Sequence, residues 1–523
     1  MGKFYITTPI YYVNDAPHIG TAYCTIAADV IARYQRMRGK KVLFATGTDE
    51  NSLKVAEAAQ RRGLRTQAFV DEMAAVFAEA WRKLDISYDL FIRTTEEAHR
   101  RAVQALVKKL YENGDIYQST YEGWYCLSDE TFFRESELIE GHCPNPECRK
   151  EVEWLGEAGY FFRLSKYADK LLEYIDSHPD FLLPETRKNE VLAFIRGGLK
   201  DACISRVAAW GTPMPESIPE SEGMVVYVWL DALVNYLTVA GYPDDKEKFA
   251  EFWPADLHLI GKEIFVRFHA TLWPAMLMAM GLPLPKTVFG HGWLTVAGEK
   301  MSKSKGNVID PIALVEQVRE KSGCDREMAL DALRYFLMRD VSFGLDGDCS
   351  LDGVLGRFNA DLANDLGNLL NRLLPLIARH NHSRIPAPAT PEEVVSAARQ
   401  AAAEWESAVE RYDFSGGLRS IWAFLGFLNR WIDTRAPWAL AKKGETEELG
   451  RVLYGLAEGL RIAAGLLYPV MPNVSKAIYH RLGLESQAMP PAWEDLTAWG
   501  KLPQGAHINT GQPLFPRVVS PDK

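Results

Sequence analysis

The sequence predicts an α/β protein that combines a split parallel-sheet domain, an inserted smaller domain and a helical bundle. Two observations carry this prediction. In the first part of the chain, strand-like and helix-like segments alternate, which is the order of a parallel sheet with crossover helices. After about residue 355, Leu, Ala, Arg and Trp recur at spacings of three and four, which is typical of packed amphipathic helices.

The first part of the chain has the pattern of strand, helix, strand and helix in turn. Residues 4–12 (FYITTPIYY) are β-branched and aromatic, which is typical of a buried strand. A helical pattern follows from about residue 18 to residue 38 and ends at Gly39. Residues 41–45 (KVLFA) predict a second strand, and residues 51–62 predict a second helix.

The middle of the chain interrupts this sheet. Residues 117–162 carry short aromatic pieces, acidic turns and three cysteines without a helical period, so we expect a small insertion there. Residues 224–228 are strand-like, and residues 258–261 and 288–291 have the pattern of further strand ends of the first sheet. The sheet is therefore predicted to be split in the sequence, with a domain inserted between its halves.

The last third of the chain is predicted to be helical. Apolar residues recur at helical spacing through residues 362–379, 392–412, 418–432 and 448–467, which predicts a bundle. We expect the tail to lie back on the body of the protein. The expected boundaries are 1–116 and 223–354 for the two halves of the sheet domain, 117–222 for the inserted connective domain with a knuckle at 117–162, 355–510 for the helical domain and 511–523 for the C-terminal tail.

Composition and charge narrow the class of protein. Hydrophobic residues make up 47% and charged residues 24%, which is the mix of a folded soluble protein. The longest uncharged stretch, residues 270–285, contains three prolines and is shorter than a membrane span of about 20 residues. Seven cysteines argue against a disulfide scaffold, and the first residues lack the pattern of a secretory signal. We expect a cytoplasmic protein, and a net charge of −10 still allows local basic patches for nucleic acid.

His18-Ile19-Gly20-Thr21 stands where the first strand turns into the first helix. A glycine there lets a nucleotide approach the backbone, and the helix N-terminus offers N–H groups and a positive dipole end to phosphate. An imidazole in the same place can donate a hydrogen bond to phosphate oxygens. A turn with an incidental histidine is the alternative, because His-x-Gly is common by chance.

A cationic loop follows residues 288–291. Mobile ammonium groups suit a triphosphate whose charge redistributes as pyrophosphate leaves, whereas a solvated basic loop is the alternative. The chain has neither a Walker-type Gly-x-x-x-x-Gly-Lys-Ser/Thr nor a Gly-x-Gly-x-x-Gly, which excludes P-loop and dinucleotide-binding proteins. The loop sequence is Lys300-Met301-Ser302-Lys303-Ser304-Lys305-Gly306-Asn307.

Together the two motifs resemble the two signatures of class I aminoacyl-tRNA synthetases, whose catalytic domain is Rossmann-like. Neighbouring stretches narrow the resemblance to the methionyl-tRNA synthetase family of the bacterial type, and they extend from the first strand to the helical bundle. These stretches are Tyr5-Ile-Thr-Thr-Pro-Ile-Tyr-Tyr-Val-Asn-Asp-Ala-Pro-His18, Gly47-Thr-Asp-Glu-Asn-Ser52, Tyr227-Val-Trp-Leu-Asp-Ala232, Ile260-Gly-Lys-Glu263, Gly290-His-Gly-Trp293 and Ala436-Pro-Trp-Ala439.

The resemblance implies an enzyme that uses ATP with Mg²⁺ to convert L-methionine into methionyl-adenylate and pyrophosphate. The methionyl group then passes to the 3′-terminal adenosine of initiator and elongator tRNA(Met), which releases AMP. The family's first signature usually ends in histidine, whereas Thr21 can donate one hydrogen bond there but cannot carry a charge. The residues implied in ATP binding and catalysis are His18, Gly20, Thr21, Lys300, Ser302, Lys303 and Ser304.

The resemblance also implies a methionine pocket. Asp49 pairs with the α-ammonium group in this interpretation, and aromatic walls contact the thioether. Residues 264–268 are one residue longer than in the family's pattern, just before a pocket histidine. Without the resemblance, each pocket aromatic is better interpreted as ordinary core. The implied pocket residues are Ile10 (through its backbone), Tyr12, Asp49, Trp229, Tyr236 and His269.

The knuckle carries Cys126, Cys143 and Cys148 where the family often has paired zinc ligands. Asp129 takes one ligand position, and three thiolates with a carboxylate can make a tetrahedral structural zinc site. An eroded knuckle that folds without metal is the alternative.

In the helical domain, Asn368, Arg372 and Trp438 match the positions that read the CAU anticodon in the family. Unpaired bases stack on aromatic faces and offer their edges to Asn and Arg side chains. Packing at the start of a helix is the alternative for Trp438. The additional dimerising domain of some family members does not follow before Lys523, so we expect a monomer.

Three other functions fit the sequence less well. A synthetase for Leu, Ile, Val or Cys is the nearest rival, but the first three carry a large editing insertion that does not fit between Gly47 and Tyr227. A small-molecule nucleotidyltransferase does not need a helical C-terminal domain. A non-catalytic tRNA-binding relative is expected to have lost His18, Asp49 or Lys303, and all three are present.

Overall fold

A computed structural model describes residues 2–126, 131–133, 135–144, 148–301, 306–485, 487 and 489–518. The strands in these ranges form a parallel sheet at the centre of the sheet domain and smaller sheets around it. The strands are β1 (Lys3–Tyr12), β2 (Lys41–Asp49), β3 (Leu90–Arg93), β4 (Ile116–Cys126), β5 (Thr131–Phe133), β6 (Glu153–Phe162), β7 (Leu182–Leu183), β8 (Ala202–Cys203), β9 (Ser205–Val207), β10 (Met224–Val226), β11 (Leu257–Gly261), β12 (Thr287–His291), β13 (Leu294–Val296), β14 (Glu299–Lys300) and β15 (Gly347–Asp348).

The central sheet has the strand order β3-β2-β1-β11-β12-β7, and its neighbouring strands are parallel. The chain runs outward from β1 through β2 to β3, and it returns on the other side of β1 with β11. The connections that leave the carboxyl ends of β1 and β11 therefore run in opposite directions along the sheet. Open α/β sheets bind their ligands at such a point. This topology confirms the predicted split parallel sheet, with residues 258–261 and 288–291 at its strand ends.

Successive residues along the first strand of the central sheet pack into two different hydrophobic cores, because both faces of the sheet are covered. Phe4 and Ile6 pack in one hydrophobic cluster, whereas Tyr5 between them packs in the other. The predicted helices at residues 18–38 and 51–62 are confirmed as the first two helices. The helices of this part of the chain are α1 (Ile19–Met37), α2 (Leu53–Arg61), α3 (Thr66–Lys83), α4 (Glu97–Glu112), α5 (Ala168–Ser177), α6 (Glu185–Arg196), α7 (Val228–Leu233), α8 (Asn235–Ala240), α9 (Lys246–Phe252), α10 (Lys262–Ile264), a π-helix (Phe265–Leu272), α11 (Trp273–Met280), α12 (Pro311–Ser322), α13 (Arg326–Asp340) and α14 (Leu351–Arg357).

The inserted region forms an antiparallel sheet in the order β5-β4-β6-β8. A small separate core lies around Cys126, Phe133 and Cys143. The predicted insertion of short aromatic segments at residues 117–162 therefore corresponds to β4, β5 and β6.

Two strands near the insertion differ from the sequence-based expectation. Within the range 117–222, β7 pairs with β12 and so belongs to the central sheet, because a two-residue strand is too short to show a period in the sequence. The strand expected at residues 224–228 ends at Val226 as β10 and pairs with β9, while Val228 begins α7.

The C-terminal part of the chain is a helical bundle, as predicted. One hydrophobic cluster continues from α1 into the bundle and includes Ile31, Leu337 and Leu456, so the two domains share a core. Its helices are a π-helix (Phe358–Gly367), α15 (Asn368–His380), α16 (Glu392–Glu410), α17 (Phe414–Arg435), α18 (Pro437–Lys443), α19 (Thr446–Leu467), α20 (Pro472–Arg481) and α21 (Trp493–Thr497).

The described part of the C-terminal tail, up to Val518, lies back on the helical domain. The Phe515 ring meets the Phe358 ring edge-on with centroids 5.5 Å apart, and Val518 N donates a hydrogen bond to Asn359 Oδ1 at 2.9 Å. No helix in the described part of the chain is long and apolar enough to cross a bilayer.

Candidate active site

A cavity of about 410 Å³ opens at the carboxyl edge of the central sheet. The ends of β1, β2, β11 and β12 contribute to its wall, together with α1, α8 and the π-helix that precedes α11. The structure therefore brings together residues from both halves of the sheet domain. Of the residues predicted to bind ATP or methionine, those that line the cavity are Ile10, Tyr12, His18, Gly20, Thr21, Asp49, Trp229, Tyr236, His269 and Lys300.

His18 and Thr21 form a capping box at the start of α1. His18 is the N-cap residue, with φ −122° and ψ 172°, and its Nδ1 accepts a hydrogen bond from Gly20 N at 3.1 Å. Thr21 Oγ1 accepts from the His18 backbone N–H at 3.1 Å and donates to the His18 carbonyl at 2.7 Å. The Thr21 hydroxyl thus fixes the turn that carries His18.

The hydrogen bond from Gly20 places the proton of the neutral His18 imidazole on Nε2. Burial lowers its pKa, although Asp15 and Glu263 act in the opposite direction. Because Nδ1 accepts the bond from Gly20, Nε2–H is the donor that the ring retains. A Cβ at Gly20 would lie 3.0 Å from His18 Cε1, so glycine allows the ring to lie over the first turn of the helix.

Asp49 lies beside Tyr12 at the ends of adjacent strands, where the two residues are partners in the β1–β2 ladder. Asp49 is only 2% exposed, and its Oδ1 accepts from Asn51 N at 3.3 Å. The side-chain amide of Asn51 (Nδ2) donates to Thr94 O at 3.1 Å and to Asp231 Oδ2 at 3.0 Å, and these bonds hold the turn after β2. A buried carboxylate on the cavity wall suits a cationic group.

Tyr236 and His269 form a hydrogen-bonded pair on the cavity wall. His269 Nδ1 lies 3.1 Å from the Ile264 carbonyl and must donate to it, so Nε2 accepts from Tyr236 OH at 2.8 Å. Burial raises the pKa of Tyr236 and lowers the pKa of His269 to about 4, so both side chains are neutral at pH 7. His269 lies in the π-helix Phe265–Leu272, whose wide turn accommodates an additional residue. The longer segment before His269 is thereby compatible with its place in the cavity.

An aromatic wall completes this side of the cavity. The Trp229 ring stacks on Phe268 with centroids 3.9 Å apart and an interplanar angle of 10°. The Tyr12 ring meets Trp229 edge-on at 6.0 Å and 72°. Aromatic rings at these distances provide apolar area and sulfur–aromatic contacts for a thioether side chain.

Lys300 and Met301, at the start of the cationic loop, also line the cavity. Lys300 lies on β14, which pairs with β13, and Asn307 Nδ2 donates to the Lys300 carbonyl at 3.2 Å. Met301 reaches α1, because its Cε would lie 3.4 Å from a Cβ at Gly20. The two signature segments therefore meet at the cavity. The predicted residues Ser302, Lys303 and Ser304 lie outside the described residues.

Several lining residues had no predicted role, among them the polar or aromatic residues Asn235, Glu263, His291 and Trp293. Trp293 Nε1 donates to Glu263 Oε2 at 2.7 Å, and burial lowers the pKa of His291. Glu263, His291 and Trp293 belong to stretches that carried the family resemblance. The sequence therefore pointed to these three residues, but the resemblance gave them no role. Asn235 had no signal of its own beyond its place next to a predicted pocket residue.

Cys126, Cys143 and Cys148 form a second cluster, in the inserted region. Their sulfur atoms all lie within 4.8 Å of one another, and Cys126 Sγ lies 3.4 Å from Cys148 Sγ. Cys126 and Cys143 are fully buried. Three sulfurs at this spacing can surround one zinc ion at Zn–S distances of about 2.3 Å. The fourth predicted ligand, Asp129, lies outside the described residues.

The three residues predicted to read the anticodon lie close together on the helical domain. Asn368 and Arg372 are one turn apart on α15, and Trp438 lies on α18. The Arg372 guanidinium carbon lies 5.8 Å from the Trp438 ring centroid, and Arg372 also pairs with Asp433. Trp438 is 47% exposed, which leaves much of a large aromatic side chain in contact with solvent.

Comparison with known proteins agrees with this architecture. The family described as tRNA synthetases class I (M) matches residues 4–154 and 145–374, and the anticodon binding domain of methionyl tRNA ligase matches residues 387–523. Methionine–tRNA ligases of Thermotoga maritima and Caldanaerobacter subterraneus are each 47% identical to this chain, over 99% and 98% of it and over 81% and 79% of their own lengths. The split sheet, the cavity between two signatures and the helical domain define a class I aminoacyl-tRNA synthetase.

A solved structure of a methionyl-tRNA synthetase is similar to this chain over nearly its whole length. Mycobacterium tuberculosis methionyl-tRNA synthetase in complex with methionyl-adenylate has a TM-score of 0.90 and 42% identity, covering 99% of this chain and 100% of that one. The chain belongs to the methionyl-tRNA synthetase family. It is an ATP-dependent methionine–tRNA ligase that activates L-methionine as the adenylate and charges tRNA(Met), which confirms the predicted function.

Proposed function

We propose that the cavity at the sheet edge holds ATP and methionine side by side, with the signature residues on the nucleotide and the aromatic wall on the amino-acid side chain. The observation that carries this proposal is that His18, Asp49 and Lys300 line one cavity although they lie far apart in the sequence. The methionine carboxylate attacks the α-phosphorus in line, so catalysis depends mostly on positioning and on stabilising phosphoryl charge. Mg²⁺ enters with ATP and neutralises part of that charge.

On the nucleotide side, His18 donates from Nε2 to a phosphate oxygen, and the N-terminus of α1 adds its N–H groups and dipole. Gly20 keeps the backbone close to the nucleotide, and Thr21 acts through the capping box that orients His18. Lys300 and Lys303 follow the departing pyrophosphate. Ser302 and Ser304 provide hydroxyl donors in the same loop.

On the methionine side, Asp49 accepts from the α-ammonium group and the Ile10 backbone contacts the amino acid. An apolar pocket separates substrates that differ by one methylene by only about 1–3 kcal/mol. Rejection of homocysteine therefore requires editing, which we assign to the synthetic site itself. The side-chain pocket consists of Tyr12, Trp229, Tyr236 and His269.

The helical domain provides the tRNA contact in this proposal. Trp438 stacks on an unpaired anticodon base of initiator and elongator tRNA(Met), and Asn368 and Arg372 bind base edges. The exposed Trp438 ring beside Arg372 supports this assignment.

The knuckle fits a structural zinc ion. Cys126, Cys143 and Cys148 would hold it, with Asp129 as the fourth ligand, and the ion would cross-link the knuckle as part of its folding. We propose the domain boundaries 1–116, 117–222, 223–354, 355–510 and 511–523, with β7 of the range 117–222 joining the central sheet. We also propose that the enzyme acts as a monomer in the cytoplasm.

Methionine-dependent exchange of pyrophosphate into ATP, measured with a panel of amino acids, tests the proposed site. We expect methionine to give the highest rate and Lys303→Ala to slow exchange strongly without changing the KM for methionine, because Lys303 acts on the phosphates. Lys321→Ala, an exposed lysine in the last turn of α12, is the matched control. An unchanged exchange rate in Lys303→Ala would contradict the proposed role of the loop.

A further inference from the structure

Two ammonium groups lie over the ring of Trp293, on the wall of the cavity. Lys262 Nζ lies 3.8 Å from the ring centroid, and Lys300 Nζ lies 4.0 Å from it. Both distances are well inside the range of about 6 Å for a cation–π contact, and tryptophan is the ring that attracts cations most strongly. The first lysine of the signature loop therefore rests on the aromatic face of a residue seven positions before it in the sequence.

The Trp293 ring is held in place from several sides. Its indole N–H donates to Glu263 Oε2 at 2.7 Å, and its backbone N–H donates to Asp346 Oδ1 at 2.8 Å. The preceding Gly292 lies so close to the neighbouring chain that a Cβ there would be 2.2 Å from the Leu345 carbonyl. Because both its backbone and its side chain are bound, the ring is a fixed surface.

The two lysines on this ring belong to different elements of the fold, since Lys262 begins α10 and Lys300 lies on β14. Lys262 donates to both carboxylate oxygens of Asp346, at 2.7 and 2.6 Å, and its side chain is only 16% exposed. Lys300 lies on the exposed strand β14 and is the first residue of the signature loop. It also lines the cavity, so an anionic ligand there can draw its ammonium group from the ring.

We propose that Trp293 is a positioning residue for Lys300: its ring holds the ammonium group beside the cavity before ATP binds and gives it up to the phosphates afterwards. A cation–π contact is weaker than a charge-assisted bond to phosphate, so the lysine transfers when the nucleotide enters. Preplacement of Lys300 reduces the freedom that this side chain loses when ATP binds. The inference rests on the proposed role of Lys300 in adenylate formation.

A double-mutant cycle in methionine-dependent ATP–pyrophosphate exchange tests the inference. We expect Trp293→Leu to lower kcat/KM for ATP by about 2- to 30-fold, which corresponds to the range of one cation–π contact, and to leave the KM for methionine unchanged. Trp293→Phe keeps a weaker ring face and should lie between wild type and Trp293→Leu. In the Lys300→Met background, Trp293→Leu should add no further loss.

The matched control is Trp154→Leu, which removes a 54% exposed tryptophan on β6 and should retain wild-type exchange. Equal losses from Trp293→Leu in both backgrounds, a higher KM for methionine, or a Phe variant as damaged as the Leu variant would each overturn the inference. If thermal denaturation shows that Trp293→Leu does not fold, the same cycle is run with Trp293→Phe.

The proposed role of Lys300 and the inference about Trp293 can be refuted separately. If Lys300→Met exchanges pyrophosphate at the wild-type rate, the proposed role of Lys300 is wrong and the inference is lost with it. If Lys300→Met is impaired while Trp293→Leu is not, the role of Lys300 stands and only the inference about Trp293 is refuted.

Discussion

Replacing Asp49 with Asn tests the ammonium contact in the cavity. The Asp49 carboxylate lies at the end of β2, is 2% exposed and accepts from Asn51 N at 3.3 Å. Asparagine keeps the size of the side chain and an acceptor oxygen for Asn51, but it removes the negative charge. The substitution therefore isolates the electrostatic part of the contact.

The expected magnitude follows from the difference between a charged and a neutral hydrogen bond. A bond to a charged group contributes about 1.5–3 kcal/mol, against about 0.5–1.5 kcal/mol for a neutral one. The substitution should therefore weaken methionine binding by about 1–2 kcal/mol, which corresponds to a rise of about 5- to 30-fold in the KM for methionine. The KM for ATP should not change, because Asp49 contacts only the amino acid in this proposal.

ATP–pyrophosphate exchange with each substrate varied in turn measures both constants. Asp352→Asn, in the exposed first turn of α14, is the matched control for loss of one carboxylate and should behave as wild type. A KM for methionine that stays at the wild-type value, or a KM for ATP that rises equally, would refute the assignment of Asp49 to the ammonium group.

Three further predictions concern other parts of the molecule. Trp438→Ala should lower kcat/KM for aminoacylation by about 5- to 150-fold, the range for losing one base stack of about 1–3 kcal/mol, while pyrophosphate exchange is unchanged; equal loss in both assays would indicate a structural role instead. Metal analysis should find one zinc ion per chain, and Cys143→Ser should lower both the zinc content and the thermal midpoint. Burial raises the pKa of Asp331 from 3.8 to about 7, so the folded state keeps a proton that the unfolded chain releases. The free energy of unfolding should therefore fall as pH rises between these two values, and Asp331→Asn should flatten that fall in denaturant titrations.

Hydrophobic periodicity could locate β1, α1, β2 and α2 because each is long enough for its repeat to be visible. The two residues of β7 show no repeat, and their place in the central sheet depends on pairing with β12, which is distant in the sequence. The only sequence indication of the π-helix Phe265–Leu272 was that residues 264–268 are one residue longer than the family's pattern.

The candidate site could be located from motifs, but its internal contacts could not. Motif positions sufficed to select His18, Asp49 and Lys300, which the fold places around one cavity. The capping bonds of Thr21 depend on the extended backbone of His18, which no residue pattern specifies. The contact of Lys300 with Trp293 likewise depends on how β13 and β14 pair, so it required the three-dimensional structure.

Helix α1 connects this site to the helical domain. His18 caps its first turn, whereas Asp29 and Arg33 lie further along it, and Ile19 to Arg33 spans about 21 Å at a rise of about 1.5 Å per residue. Asp29 is fully buried and accepts from Arg33 and from Arg334, which also donates to the Val470 carbonyl between α19 and α20.

The buried charges at this junction are stabilised in their ionised form. Although burial opposes ionisation, the guanidinium groups beside Asp29 lower its pKa to about 2. Removing one partner of a buried ion pair costs about 3–5 kcal/mol, so this contact resists opening. Arg334 therefore links α1 to the turn between α19 and α20 through one buried ion pair and one backbone hydrogen bond, and the opposite end of α1 carries His18.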